Sequence, residues 1–242
     1  MKHEIGHIKA IFRYPVKSMA GIELTKAQLG FHGIEGDRRF AFRRMADQGG
    51  FPWLSASRLP EMILFKPIYQ QENEDSLIPS HVRTPEGNDL ELRSSELSEE
   101  ISRRLGSEVQ LMHLKQGIFD DASISMISNE TIFRIEKESE RSIDIRRFRP
   151  NLYIETNSGK PFEEDKWIGR TVFFGEESDG PAVSLTSRDK RCVMVNFDPD
   201  TAHSDARVMK SIIKLNENNA GGYGTVIKIG NIIVGQKVYI SD

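Results

Sequence analysis

The chain has 242 residues, with 33 Lys plus Arg against 36 Asp plus Glu, a formal charge of −3, and 38% hydrophobic residues. That is enough apolar material for one large domain or two small ones of roughly 150 residues each, and it argues against a disordered chain or a strongly basic nucleic-acid binder. No run approaches the roughly 18 uncharged apolar residues of a membrane span, and the opening MKHEIGHIKA lacks both an apolar signal core and an Arg/Ser-rich leader, so a cytoplasmic protein without membrane contact is expected.

EIGHIKAIFRYPV mixes β-branched and aromatic residues up to Pro15 and predicts a first strand. RRFAFRR alternates around Phe40 and Phe42, and MILF at 62–65 is a short apolar run before Pro67; both read as strands, paired with each other. QQENED, followed by Pro79, Pro85 and Gly87, predicts a solvated excursion over 70–90. Ser94 or Ser95 can cap a helix in which Leu97, Ile101 and Leu105 share a face and Gly106 marks the end. The strand VQLMHL follows, then a second helix after Ser128 with a solvated EKESER end. Asp205 can cap a third helix through ARVMKSIIKLN, and the tail TVIKIGNIIVGQKVYI predicts a β meander turning at Gly230-Asn231 and Gly235-Gln236. Many short strands and about three short helices predict a mainly β, α+β fold. The segment GIFDDAS at 117–123 suggests a division into residues 1–116 and 117–242.

No P-loop, GxGxxG, HExxH or GxSxG motif is present, which removes the main supports for NTP hydrolysis, hydride transfer, zinc proteolysis and serine hydrolysis. The six histidines are scattered, and His3 and His7, the one close pair, fall at a strand start. What remains is a set of turns that carry cations and amide donors. YPVKSMAG offers Lys17 and Ser18, GDRRF offers Arg38, SASRLP offers Arg58, and RRFRPNL offers Arg149 and Asn151. Singly, each reads as a surface salt-bridge residue; four such loops in a near-neutral chain suggest convergence on an anionic ligand. The single cysteine, Cys192, cannot form an internal disulfide, an iron–sulfur cluster or a thiolate-rich zinc site, so redox chemistry must be imported. It lies in SRDKRCVMVNFDPDT beside Arg188, Lys190 and Arg191, and cations beside a sulfur favour the thiolate that ligates metals. A buried, inert cysteine is the other reading. A cysteine-nucleophile hydrolase needs a histidine base; none lies near in sequence, although chain distance leaves His32 and His113 open.

Taken in order, YPVKS with Gly21, GDRRF, SRLPEM, RFRPN, FEEDKW, RC with VNFDPDT, and GNIIVGQKVYI resemble the MOSC proteins, named for the C-terminal domain of molybdenum-cofactor sulfurase, in the branch that also carries the MOSC N-terminal barrel. The resemblance spans nearly the whole chain. It implies a MOSC-type β-barrel core with an N-terminal β-barrel module over 1–116 and the MOSC domain over 117–242. It also implies a bound molybdenum cofactor (Mo-molybdopterin), with Cys192 as metal ligand and catalytic residue. By motif match, Lys17, Ser18, Arg38, Arg58, Arg149, Asn151 and Arg191 would contact the pterin and its phosphate. Relatives of this layout reduce N-hydroxylated small molecules, removing oxygen at molybdenum with electrons from an external flavin, cytochrome or iron–sulfur partner. A non-catalytic carrier of the cofactor or its sulfur, or a β-barrel interaction protein with a buried cysteine, are the alternatives. Asp198 is the candidate proton donor nearest the RC motif. The chain departs from the pattern in reading SRDKRC where many relatives have a C-S-R-C-like run, and HSDAR where a Gly-containing continuation is usual.

Overall fold

The computed structural model describes residues 2–69, 77–117, 121–176 and 179–241, so the QQENED segment and part of GIFDDAS lie outside the described residues. In chain order the strands are β1 Lys2–Arg13, β2 Ile22–Leu24, β3 Lys26–Gly30, β4 Gly33–Ile34, β5 Phe40–Arg44, β6 Lys66–Ile68, β7 His81–Arg83, β8 Asp89–Glu91, β9 Val109–His113, β10 Ile124–Ser128, β11 Leu152–Thr156, β12 Thr171–Phe174, β13 Ala182–Lys190, β14 Asn219–Lys228, β15 Gly230–Ile233 and β16 Lys237–Ser241. The α-helices are α1 Ser95–Leu105, α2 Asn129–Ser139 and α3 Arg207–Asn216. Among the described residues, no helix is long and apolar enough to cross a membrane.

Seven strands close on themselves. The order runs β11-β10-β14-β13-β12-β16-β1, and β1 pairs again with β11, so the barrel has no free edge along this circuit. Ile8, Ile11, Leu152, Ile154, Val183, Leu185, Val238 and Ile240 fill its core. The barrel takes its first strand from the N-terminal segment, across the 116/117 division. Strand β1 bends at two register shifts to serve both neighbours. One falls at Gly6, where a Cβ would stand 2.0 Å from the carbonyl oxygen of Glu155, so only glycine admits that approach. A second core gathers around Phe40, Phe42, Phe65, Val82, Leu97 and Ile101, where β5–β9 and the small sheet β6-β7-β8 meet α1. A third lies between α2 and α3.

The mainly β fold with three α-helices is as predicted, and α1 carries the expected caps: Ser94 accepts from the Leu97 N–H, and Gly106 is left-handed. Four local readings need correction. MILF is not a strand: Pro60 opens a 3-10 turn over Pro60–Leu64, which consumes Met62 and Ile63. The partner of β5 is therefore β9. Asp205 is one residue early as a cap; the N-cap is Ala206, and Asp205 binds the Arg207 N–H from outside the helix. The tail is not a meander, because β14 joins β10 and β13, β15 leaves to pair with β3, and β16 joins β12 and β1. Gly230 starts β15 rather than turning, at φ +151, while Gly235 does turn at φ +84.

The N-terminus of α2 rests on a fully buried carboxylate. Glu164 accepts from the Ser128 N–H at 2.6 Å and from the Thr131 hydroxyl at 2.8 Å. Burial raises its pKa, and those hydrogen bonds only partly oppose the rise. A carboxyl whose folded pKa is raised contributes stability that is complete below its unfolded pKa and lost as pH climbs through the folded value. Glu164→Gln cannot ionise. Urea unfolding at pH 5 and pH 8 should therefore show the stability gap between wild type and variant shrinking at the higher pH; a gap that widens would contradict this assignment.

Candidate functional site

Strand β1 delivers the chain to Tyr14 and Pro15, after which Val16–Met19 forms a tight turn closed by the Met19 N–H on the Val16 carbonyl at 3.2 Å. Ser18 sits at φ +67, the position of such a turn that glycine normally takes. Lys17 is pinned by its N–H to the Phe40 carbonyl at 2.8 Å, so the β5 strand sets where this turn lies.

Gly36 and Asp37 bring Arg38 out at φ +47. Asp37 is completely buried and organises the corner: its carboxylate accepts from the Tyr14 N–H at 2.6 Å, the Asn151 amide at 3.1 Å and the Arg38 guanidinium. Burial works against the charge on Arg38, but Asp37 beside it prevails and the guanidinium pKa is raised. Arg38 also donates to the Asn151 side-chain oxygen at 3.3 Å and to the Arg149 carbonyl at 3.1 Å.

Arg149 ends the 3-10 turn Ile145–Phe148 at φ +50 and reaches across to the Met19 carbonyl at 2.7 Å. Its guanidinium carbon lies 4.2 Å from the Tyr14 ring centroid, and that of Arg38 lies 4.9 Å from the same ring. Tyr14 lies against Gly21, where a Cβ would come within 2.4 Å of the ring. Burial pushes the Tyr14 hydroxyl up to about 12, with Arg149 and Arg38 pulling the other way, so it stays protonated at neutral pH.

Cys192 follows a residue held on every side. The Arg191 N–H donates to Asn218 O at 2.9 Å, and its carbonyl accepts from the Asn218 amide at 2.7 Å. Its guanidinium donates to Ala220 O at 2.7 Å and Phe148 O at 2.8 Å, and it lies 2.8 Å from the Asp189 carboxylate. Asp189 in turn accepts from Ser125 at 2.9 Å, and the Ser125 N–H donates to Asn151 at 3.1 Å. One buried polar chain therefore links the Cys192 loop to the Arg38 corner. After Cys192, the 3-10 turn Val193–Asn196 is gripped between two cores: Met194 and Phe197 pack with the N-terminal one, and Val195 with that of α2 and α3. The Cys192 side chain itself is exposed.

These parts meet in one cleft of about 540 Å³, its open mouth included, lined by Lys17, Ser18, Arg38, Arg147, Arg149, Lys190, Arg191 and Cys192, with Ser125, Asp189 and Tyr223. Six cations and one carboxylate line it, and Asp37 and Asp198 pair with Arg38 and Arg147 from outside the lining, which leaves a positive excess that attracts an anion. Ser18, Arg38 and Arg149 all hold left-handed backbone that costs of order 1–3 kcal/mol per residue, and such strain collects at ligand clamps.

Of the sequence candidates, Asn151 stands behind the wall rather than in it, its amide engaged by Phe12 O, Asp37, Arg38 and the Ser125 N–H. Arg58 does not line the cleft. It is exposed in the turn after Ser55, whose hydroxyl pairs with that of Ser57 at 2.6 Å. Asp198 is taken up by its own loop, accepting from the Asp200 and Thr201 N–H groups at 3.1 Å and pairing with Arg147 at 2.9 Å. Arg188 turns away to Asn216 and Asp165. Sequence reasoning missed Tyr14, Ser125, Asp189, Arg147 and Tyr223. Among the described residues no three His, Cys, Asp or Glu side chains come together to hold a metal.

A closed seven-stranded barrel, joined by an N-terminal β module to a cationic cleft with one exposed thiol, defines the class. The family model for the MOSC domain matches residues 102–239, and that for the MOSC N-terminal beta barrel domain matches residues 5–127. The chain belongs to the MOSC family, in the form that carries the N-terminal barrel. Its similarities to named proteins are distant. It is 21% identical to the mitochondrial amidoxime reducing component 2 of Rattus norvegicus over 294 aligned residues, covering 98% of this chain and 83% of that one. It is 26% identical to the molybdenum cofactor sulfurase of Arabidopsis thaliana over 246 aligned residues, covering 79% of this chain but only 29% of that much longer protein. The crystal structure of the YuaD protein from Bacillus subtilis superposes with a TM-score of 0.53 at 12% identity, covering 99% and 97% of the two chains, which shows a shared fold.

Proposed function

We propose that the cleft binds a molybdenum cofactor with Cys192 as a metal ligand, and that the protein reduces N-hydroxylated small molecules with electrons from a separate donor protein. The observation that carries this reading is the exposed Cys192 thiol at the wall of a cleft bearing six cations. The donor set fits the group. A soft thiolate suits molybdenum, and guanidinium, ammonium and hydroxyl donors suit a pterin phosphate. Because no cluster of metal-ligating side chains accompanies Cys192 among the described residues, the metal would arrive with most of its ligands already attached, as one carried by a pterin does. The name of the rat relative, an amidoxime reducing component, supports the substrate class.

When bound, the group supplies two-electron redox chemistry and an oxygen acceptor. The chain's own contribution is placement. Lys17, Ser18 and Arg149 would hold the phosphate end. Arg191, whose guanidinium donates to Ala220 and Phe148 and lies beside Asp189 while its Nη2 keeps no hydrogen-bond partner, would fix the Cys192 loop and offer a donor to the ligand. Arg38, anchored by Asp37 and Asn151, would present charge without reorganising. A proton donor is not assigned to Asp198, whose carboxylate is committed to its loop.

The test is reduction of benzamidoxime by protein isolated from a cofactor-making host and reduced chemically. Turnover with stoichiometric molybdenum supports the enzyme. Bound molybdenum that passes to an apo-acceptor without turnover would establish a carrier instead. Lys17→Ala and Arg149→Ala should each lower cofactor affinity by roughly 10- to 100-fold, since a hydrogen bond to a charged group contributes about 1.5–3 kcal/mol. Molybdenum content after dialysis measures this, and wild-type retention in both variants would contradict a phosphate site at these residues.

A further inference from the structure

Reduction of an N–OH group consumes protons as well as electrons, and the lining of the cleft narrows where they come from. The guanidiniums of Arg38, Arg147, Arg149 and Arg191 keep their protons throughout the physiological range. Asp189 is taken up by Arg191 at 2.8 Å and Ser125 at 2.9 Å. Lys190 is exposed, and the Lys17 ammonium lies 5.3 Å from the Phe51 ring centroid, at the end proposed above for the phosphate. Apart from the Cys192 thiol, Tyr223 is the remaining lining residue with a neutral side chain of the general-acid kind. It stands in β14 directly opposite Ser125 of β10 and Ser187 of β13. Ser125 shares the cleft lining, while Ser187 donates to Asp121 Oδ2 at 3.1 Å on the exposed surface, so this row of the sheet runs from solvent to the floor of the cleft. The Tyr223 oxygen also lies near enough to Arg38 for a charge on it to raise the Arg38 pKa. The attraction is mutual: Arg38, anchored by Asp37, favours a phenolate formed there.

We infer that the Tyr223 hydroxyl is the acid that protonates the oxygen of a bound N–OH group. The inference rests on the N-hydroxyl reductase reading given above and supplies the donor that reading lacks. In the whole step the N–O bond breaks, an N–H bond forms and the oxygen leaves as water, consuming two electrons from the flavin or iron–sulfur donor protein and two protons. Tyr223 gives one proton to the oxygen, and the other reaches the nitrogen from solvent. The phenolate left beside Arg38 is reprotonated by water at the cleft mouth. A neutral donor suits this place, because the positive excess of the cleft repels hydronium.

The experiment compares molybdenum-loaded wild type, Tyr223→Phe and Tyr223→His in steady-state reduction of benzamidoxime, with metal content measured on each and the tyrosines labelled at Cζ for NMR. Tyr223→Phe should take up as much molybdenum as wild type and keep its KM while kcat falls about 100-fold, at the lower end of the roughly 100- to 10,000-fold that a positioned acid contributes. Tyr223→His keeps a transferable proton and should recover about tenfold of that loss. In wild type, the Cζ resonance that both variants lack should shift when benzamidoxime is added, a contact readable without turnover; Tyr223→His identifies that resonance where Tyr223→Phe does not fold. Near wild-type kcat in Tyr223→Phe, or a Tyr223 resonance that ignores benzamidoxime, overturns the inference and leaves the cofactor reading intact. Molybdenum lost from a folded variant does the same, by making Tyr223 a cofactor contact. Wild type that takes up no molybdenum, or holds it without turnover, overturns the reductase reading and this inference together.

Discussion

Cys192→Ser is expected to abolish N-hydroxyl reduction, by on the order of a thousandfold or more in kcat, and to leave the protein as stable as wild type. Serine keeps the size and removes the soft thiolate, so the loss should exceed the 10- to 100-fold typical of residues that merely support a metal ligand. Stability should stay within about 0.5 kcal/mol because the side chain is exposed, while the loop that carries it is held by its neighbours. Steady-state reduction of benzamidoxime together with thermal unfolding measures both. A variant that turns over at near wild-type rate would remove the thiol from the chemistry; one that unfolds would show that Cys192 serves packing.

The largest effect on stability is expected at Asp37. Its carboxylate is wholly buried and is the common acceptor for the Tyr14 N–H, the Asn151 amide and the Arg38 guanidinium. Asp37→Ala leaves Arg38 beside the cleft without its counter-charge, and breaking a buried pair from one side costs about 3–5 kcal/mol. Removing both partners, Asp37→Ala with Arg38→Met, should cost less than Asp37→Ala alone, since no uncompensated charge remains. Urea denaturation of the two variants decides it. A single-variant loss below about 1 kcal/mol would mean that Arg38 finds another partner, and that the corner is not held together by Asp37.

Part of the cleft lining was legible in the sequence, while Ser125, Arg147, Asp189 and Tyr223 were not. Lys17, Ser18, Arg38 and Arg149 stand out because each lies beside a Pro or Gly that punctuates its segment, and the structure does bring them to the wall that holds Cys192. Asn151 stands out for the same reason, yet its four partners come from three distant segments, so only folding reveals it as a support for Arg38. Arg58 shares the local grammar, Ser-rich turn and following Pro, and is exposed outside the lining; a turn signature fixes backbone shape, not which way the turn faces. Asp189 was visible within SRDKRC, two residues from its partner Arg191, but its other partner, Ser125, lies 64 residues away and meets it only in the fold. The tail shows the same limit for strands. Its three β-rich runs are real, but which strands they join depends on barrel closure by β1, at the other end of the chain.

X-ray absorption at the molybdenum edge, on cofactor-loaded wild type and Cys192→Ser, asks whether the Cys192 sulfur binds molybdenum. The variant should retain cofactor through Lys17, Ser18 and Arg149 and show one fewer sulfur in the metal's coordination shell. An identical sulfur count in the two proteins would contradict it.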